Sequence, residues 1–143
     1  FDDFALGFMT TSLAPDEIVT EIRLRPWKEG HGHAFEEFAR RRGDFAIVGG
    51  GVLVSTGADE TIDRISAVLC GVGGVPARLD LSGLVGQRPD ERAVDAAARI
   101  ARQVESIEDS NGSKAYRQHL AGTLIERAMR RAFARAADTR RPS

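Results

Sequence analysis

The hydrophobic period changes near the middle of this sequence, and that change limits the possible folds more than any other feature. Up to Gly71 the apolar residues either alternate with polar ones or cluster in short β-branched runs, the patterns of strands. From Asp90 onward they recur every three and four residues, as on one face of a helix. Strands first and helices later, with no strand–helix–strand alternation, predict an α+β domain in which helices cover one face of a mostly antiparallel sheet. At 143 residues, such a domain can bury a core of its own.

Within the first half, residues 18–24 place Ile18, Ile22 and Leu24 in alternation with Val19, Glu21 and Arg23, which predicts a strand closed by Pro26. A glycine-rich turn over residues 29–33 leads into residues 33–40, whose pattern fits a strand or a helix equally well. Residues 45–55 are apolar on both parities, as in a strand covered on both faces or bent at Gly49, Gly50 and Gly51. Another strand is predicted over residues 64–71, ended by the run from Gly73 to Pro76.

In the second half, residues 90–104 set Ala93, Val94, Ala97, Ile100, Ala101 and Val104 on one stripe. A longer helix follows Ser113, a plausible N-cap, with two adjacent rows: Leu120, Leu124, Ala128, Ala132 and Ala121, Ile125, Met129, Phe133. These rows are expected to bury against the sheet. The last six residues, 138–143, lack an apolar anchor and are expected to be a disordered tail, leaving 1–137 as the domain.

Charge and composition exclude several functions. Twenty basic residues against 21 acidic ones give a net charge of -1, so no global field draws the chain to nucleic acid or anionic lipid, and any basic patch is local. Cys70 is the only cysteine, which rules out an intrachain disulfide and a thiolate metal cluster and fits a reducing, cytoplasmic setting. The glycines at 49–51 invite a dinucleotide reading, but a Rossmann turn must open a helix, and Val52, Leu53 and Val54 continue a strand instead. His31 and His33 are two imidazoles in a loop, too few for a metal site. No nucleophile elbow, zincin helix or P-loop is present, so no catalytic or metal-binding residue is assigned. Arg40, Arg41 and Arg42, with Arg117, Arg127, Arg130, Arg131 and Arg135 on the last helix, form the local basic features; a solvated helix face is the default reading, and an interface with a partner subunit or a flavin pyrophosphate is the sharper one. The chain opens on Phe1 in a patterned segment and reads as part of something longer.

Four ordered blocks are more specific. They are D-x-F-x-x-G-F-x-x-T-x-L-x-P-x-E-I-V-T-E-I-R from Asp2, A-F-E-E-F-A-R-R-x-G-D-F-A-I-V from Ala34, G-V-G-G-V-P-A-R from Gly71, and S-x-x-Y-R-Q-H-L-A-x-x-L-I-x-R-A from Ser113. Together they resemble the end of the medium, FAD-binding subunit of carbon monoxide dehydrogenase-type molybdenum hydroxylases and, more distantly, the flavin domain of xanthine dehydrogenase. The resemblance implies a C-terminal α+β domain with three or four antiparallel strands and about three helices. It also implies a three-component oxidoreductase. A large subunit carries molybdopterin and substrate, a small subunit carries two [2Fe–2S] clusters, and the medium subunit accepts electrons on FAD.

In relatives, FAD is held chiefly by glycine-rich segments of the types A-G-G-x-S/T and T-x-G-G in preceding domains; neither occurs here. What the resemblance leaves to this chain is contact beside the flavin, at Val19 and around Glu36, Glu37, Arg40 and Arg41; relatives carry a lysine in or beside the segment where this sequence has Glu36 and Glu37. The alternative role is a structural domain that docks partner subunits without touching the cofactor.

Overall fold

The structure is a computed structural model and describes residues 3–139. Four strands form an antiparallel meander in the order β3-β4-β5-β6: β3 (Gly32–Phe38), β4 (Val48–Thr56), β5 (Ile62–Cys70) and β6 (Ala77–Leu79). A separate two-stranded hairpin, β1 (Ala5–Gly7) and β2 (Thr10–Thr11), precedes them. After β6 come a single 3-10 turn (Ser82–Leu84) and two helices, α1 (Glu91–Arg102) and α2 (Lys114–Asp138). The α+β class and the antiparallel sheet are as expected, with two α-helices and one short turn in place of three helices.

The helix ends follow local chemistry. The Asp90 carboxylate caps α1 by accepting from the Arg92 and Ala93 amides at 3.0 and 3.1 Å. Ser113 caps α2 through the Tyr116 amide at 3.3 Å. The two rows on α2 are buried against β3 and β4: Leu120, Leu124, Ala128 and Ala132 together with Ala121, Ile125 and Met129, while Phe133 is partly buried at the edge. Helix α1 lies against α2, with Ala93, Val94, Ala97 and Ala101 in the same core.

Alternation divides the sheet into two faces. Val48, Val52 and Val54 of β4 and Ala67 and Leu69 of β5 face the core, whereas Phe35, Leu53 and Val68 line the side away from the helices. The glycine run is the middle of β4, paired with Phe35, Glu36 and Glu37 on one side and Val68, Leu69 and Cys70 on the other. A Cβ at Gly50 would lie 3.0 Å from Ile125 Cδ1, and one at Gly49 would lie 2.7 Å from Cys70 Sγ. These glycines therefore serve close packing, and the ambiguous residues 33–40 resolve as strand β3.

Residues 18–24 do not form the expected strand. They have no regular structure, and Ile18, Ile22 and Leu24 are exposed, Ile18 at 82%. A strand exists only when another strand pairs with it, and the four strands of the main sheet pair with one another instead. The chain rejoins the domain at Trp27, whose ring lies 4.1 Å beneath the Arg64 guanidinium, and at Lys28, which pairs with Asp63 at 2.9 Å. At the other end, Asp138 closes α2 and Thr139 caps it, so these two positions of the expected tail are ordered helix end; its remaining residues, 140–143, lie outside the described residues.

Candidate functional site

Three loops meet at one end of the sheet: β3 to β4, β5 to β6, and α1 to α2. They are held by Arg117, which heads the row Ala121, Ile125, Met129 on α2 and is only 3% exposed. Its Nη1 donates to the carbonyls of Ile47 and Gly71, each at 2.6 Å, and its Nη2 donates to Asp109 Oδ1 at 2.6 Å. One guanidinium thus pins all three loops, a geometry that the five-donor fork of arginine supplies and an ammonium does not. Gly71 makes this possible: its φ is +77°, and a Cβ there would sit 2.3 Å from the Ile47 carbonyl oxygen.

Further bonds complete the frame. The Ile107 amide donates to Val72 O at 2.8 Å, Arg40 Nη2 donates to Ser110 O at 2.9 Å, and Phe38 meets Tyr116 edge-on at 6.4 Å. Between the loops lies a cleft of about 500 Å³ lined by Arg40, Asp44, Phe45, Asn111 and Arg117, among others.

The Arg117 guanidinium, and after it the Asn111 amide, hold the Asp109 carboxyl below the usual carboxylate range. A carboxylate with a depressed pKa contributes stability that is present at neutral pH and lost as pH falls through its folded value. Asp109→Asn is therefore expected to be less stable than the parent at pH 7, with the gap closing from about pH 5 downward. Urea midpoints measured across that range check this; a gap independent of pH would show that the bond contributes no linked stability.

The residues expected beside a flavin are only partly brought together. Glu36, Glu37, Arg40 and Arg41 follow one another through the end of β3 and its loop, but their side chains diverge. Glu36 turns toward the helices and pairs with Arg131, so its charge is compensated, whereas Glu37 is exposed. Arg40 and Arg41 are exposed on the loop, and Val19 is half exposed on the irregular segment before β3.

The arginines of α2 do not form a uniformly solvated face. Arg117 is buried, Arg130 bridges Glu91 and Glu126 at 2.8 and 2.7 Å, and Arg135 donates to His33 O. Sequence reasoning missed Arg117 as the organiser; the available signal was its position four residues before Ala121, in line with the apolar row.

Neither the glycine run nor the start of α1 presents free backbone amides to a phosphate. Gly49, Gly50 and Gly51 lie between two paired strands, so their amides belong to the sheet ladder rather than to a phosphate cradle. The start of α1 is already filled by the Asp90 carboxylate, which would repel a pyrophosphate. Among the described residues no three His, Cys, Asp or Glu side chains converge as metal ligands. His31 and His33 stand with ring centroids 5.9 Å apart, and His31 Nδ1 lies 2.8 Å from Lys28 O. Among the described residues no helix is long and apolar enough to cross a membrane.

Such a frame defines an α+β domain with helices packed on its antiparallel sheet and three loops joined at one end by Arg117. Residues 33–132 match the family model described as the CO dehydrogenase flavoprotein C-terminal domain, and the chain belongs to that family. It is 32% identical over 137 residues to the carbon monoxide dehydrogenase medium chain of Afipia carboxidovorans, covering 94% of this chain and 47% of that one. Identity to the nicotine 6-hydroxylase medium subunit of Paenarthrobacter nicotinovorans is 37% over 142 residues, again covering 94% and 47%. Carbon monoxide dehydrogenase from Hydrogenophaga pseudoflava, a solved structure, superposes with a TM-score of 0.85 at 33% identity, over 94% of this chain and 47% of that one. The chain thus spans about half the length of the relatives it matches.

Proposed function

We propose that this chain is the C-terminal part of the FAD-binding medium subunit of a cytoplasmic molybdenum hydroxylase. In that enzyme a large molybdopterin-binding subunit oxidises a small molecule, and electrons pass through the [2Fe–2S] clusters of a small subunit to FAD. The observation that carries this reading is the similarity over nearly the whole chain to medium subunits whose enzymes are named for carbon monoxide and for nicotine. A domain shared by enzymes of such different substrates serves something common to them, which is the path of electrons and the assembly of subunits.

FAD supplies the redox chemistry when bound, and the protein supplies its position. The contribution of this chain is a rigid loop frame fixed by Arg117, with Val19, Glu37, Arg40 and Arg41 as the residues available toward the flavin. Glu36 is not available, because it is paired with Arg131. The paired Glu36 and the filled start of α1 equally favour the second reading, a docking domain that leaves the cofactor to the rest of the subunit.

Mixing the oxidised parent subunit with the reduced small subunit tests the electron path. Bleaching of the flavin absorbance is expected; an unchanged flavin spectrum, with the small subunit remaining reduced, contradicts it.

A further inference from the structure

Residues 18–25 have the composition of a strand but, among the described residues, no strand to pair with. The stretch has no glycine, carries the β-branched residues Ile18, Val19, Thr20 and Ile22, and lies between Pro15 and Pro26, which suits a pleated, half-buried surface better than a flexible linker. Glu21 and Arg23, two residues apart, pair at 2.9 Å, as neighbours on one face of an extended backbone do. On the other parity Ile18, Ile22 and Leu24 stand exposed at 82%, 79% and 85%.

The sheet of this domain does not take the segment in. Its edge strands are β3 and β6, and β3 is the next strand of the sheet along the chain, yet residues 18–25 pair with neither. They also precede residues 33–132, which match the family model, whereas an alignment covering 94% of this chain runs through them and takes in only 47% of the relative. Just after Pro26 the chain is fastened to β5, with Trp27 under the Arg64 guanidinium at 4.1 Å and Lys28 on Asp63 at 2.9 Å. A sheet that pairs with 18–25 is thus tethered beside this domain, where a covalent link gives it a high effective concentration.

We propose that residues 18–25 are a strand of a sheet in the remaining half of the same subunit, with Ile18, Ile22 and Leu24, and Thr20 among them, turned into the core of that half. Continuity of the polypeptide selects this occupant over a separate subunit: the relatives carry the segment on a chain about twice as long as this one. The strand joins the two halves, and the period of two sets Val19, the apolar residue expected beside the flavin, on the face away from that core with Glu21 and Arg23. The proposal rests on the proposed function only in taking the remaining half to be that of a medium subunit.

Hydrogen–deuterium exchange on the full medium subunit, without its partner subunits, tests this. Amides of residues 18–25 are expected to exchange on the order of a hundredfold or more slower than in an unstructured chain. Ile22→Asp is expected to speed exchange in the half of the subunit outside this chain and to lower the melting temperature by about 5 °C or more, while peptides of α2 keep the parent rate. Arg23→Asp, on the opposite face, is expected to stay within about 1 °C of the parent. Ile22→Thr gives the same pattern in milder form if the aspartate prevents folding. Unprotected amides in the parent overturn the proposal, whether the segment is a linker or is covered only by a partner subunit. Protection that is lost on dilution points to a second copy and also overturns it. So does loosening of α2 or the β3 to β6 sheet in place of the other half, and so does equal sensitivity at positions 22 and 23. A protected segment in a subunit that binds no FAD upholds this proposal and overturns the proposed function.

Discussion

Gly32→Val is expected to cost more than about 3 kcal/mol of stability, beyond the usual range for an overpacked site. At Gly32 the backbone of β3 lies against the backbone of α2. A Cβ there would lie 1.8 Å from the carbonyl oxygen of Ala132 and 2.8 Å from the amide nitrogen of Ala136. Both obstacles are helix backbone, which cannot rotate away as a side chain would. The helix must therefore lift from the strand, and contacts along Ala128, Ala132 and Ala136 loosen together. Gly51→Ala is the matched control, because its Cβ would meet only Phe35 Cδ2 at an ordinary 3.6 Å. Urea unfolding of the two variants checks the claim; similar midpoints for both would show that the helix is free to move away from β3.

Leu124→Ala is the second large effect. Leu124 is buried in the row of α2 that faces the sheet, and truncation is expected to cost about 2–5 kcal/mol, the removed methyl groups and the residual cavity both contributing. A melting temperature equal to that of the parent would contradict burial of this row.

Residues whose environment is set by a repeating pattern were legible in the sequence. Leu120 through Met129 repeat at helical spacing over several turns, Ser113 caps by its own side chain, and the strand at residues 45–55 could be told from a Rossmann turn by Val52, Leu53 and Val54. Residues whose role depends on a distant partner were not. The alternation of Ile18, Ile22 and Leu24 describes a strand, but alternation says nothing of whether a pairing strand is present, and here they stay exposed. Glu36 and Glu37 look equivalent in sequence, yet the period of two sends them to opposite faces, one to Arg131 and one to solvent. Arg117 looked like its neighbours on the helix surface until the carbonyls of Ile47 and Gly71, 70 and 46 residues away along the chain, were seen to converge on it.

The candidate site was legible to the same degree. The resemblance pointed to the end of β3 and the loop after it, and the structure adds that this loop is framed by Arg117 and borders a cleft. The order of residues could not supply that, because the cleft is formed by three loops separated along the chain.

The proposed function implies that this chain frames a flavin site whose main binding determinants lie in the other half of the subunit. Titration of FAD by fluorescence quenching, on the 143-residue chain and on the full medium subunit, tests it most directly. The chain alone is expected to purify colourless and to bind no more tightly than about the millimolar range, near -4 kcal/mol, while the full subunit is yellow with stoichiometric FAD. Stoichiometric binding by the chain alone in the micromolar range would contradict the account and place the determinants among the residues described above.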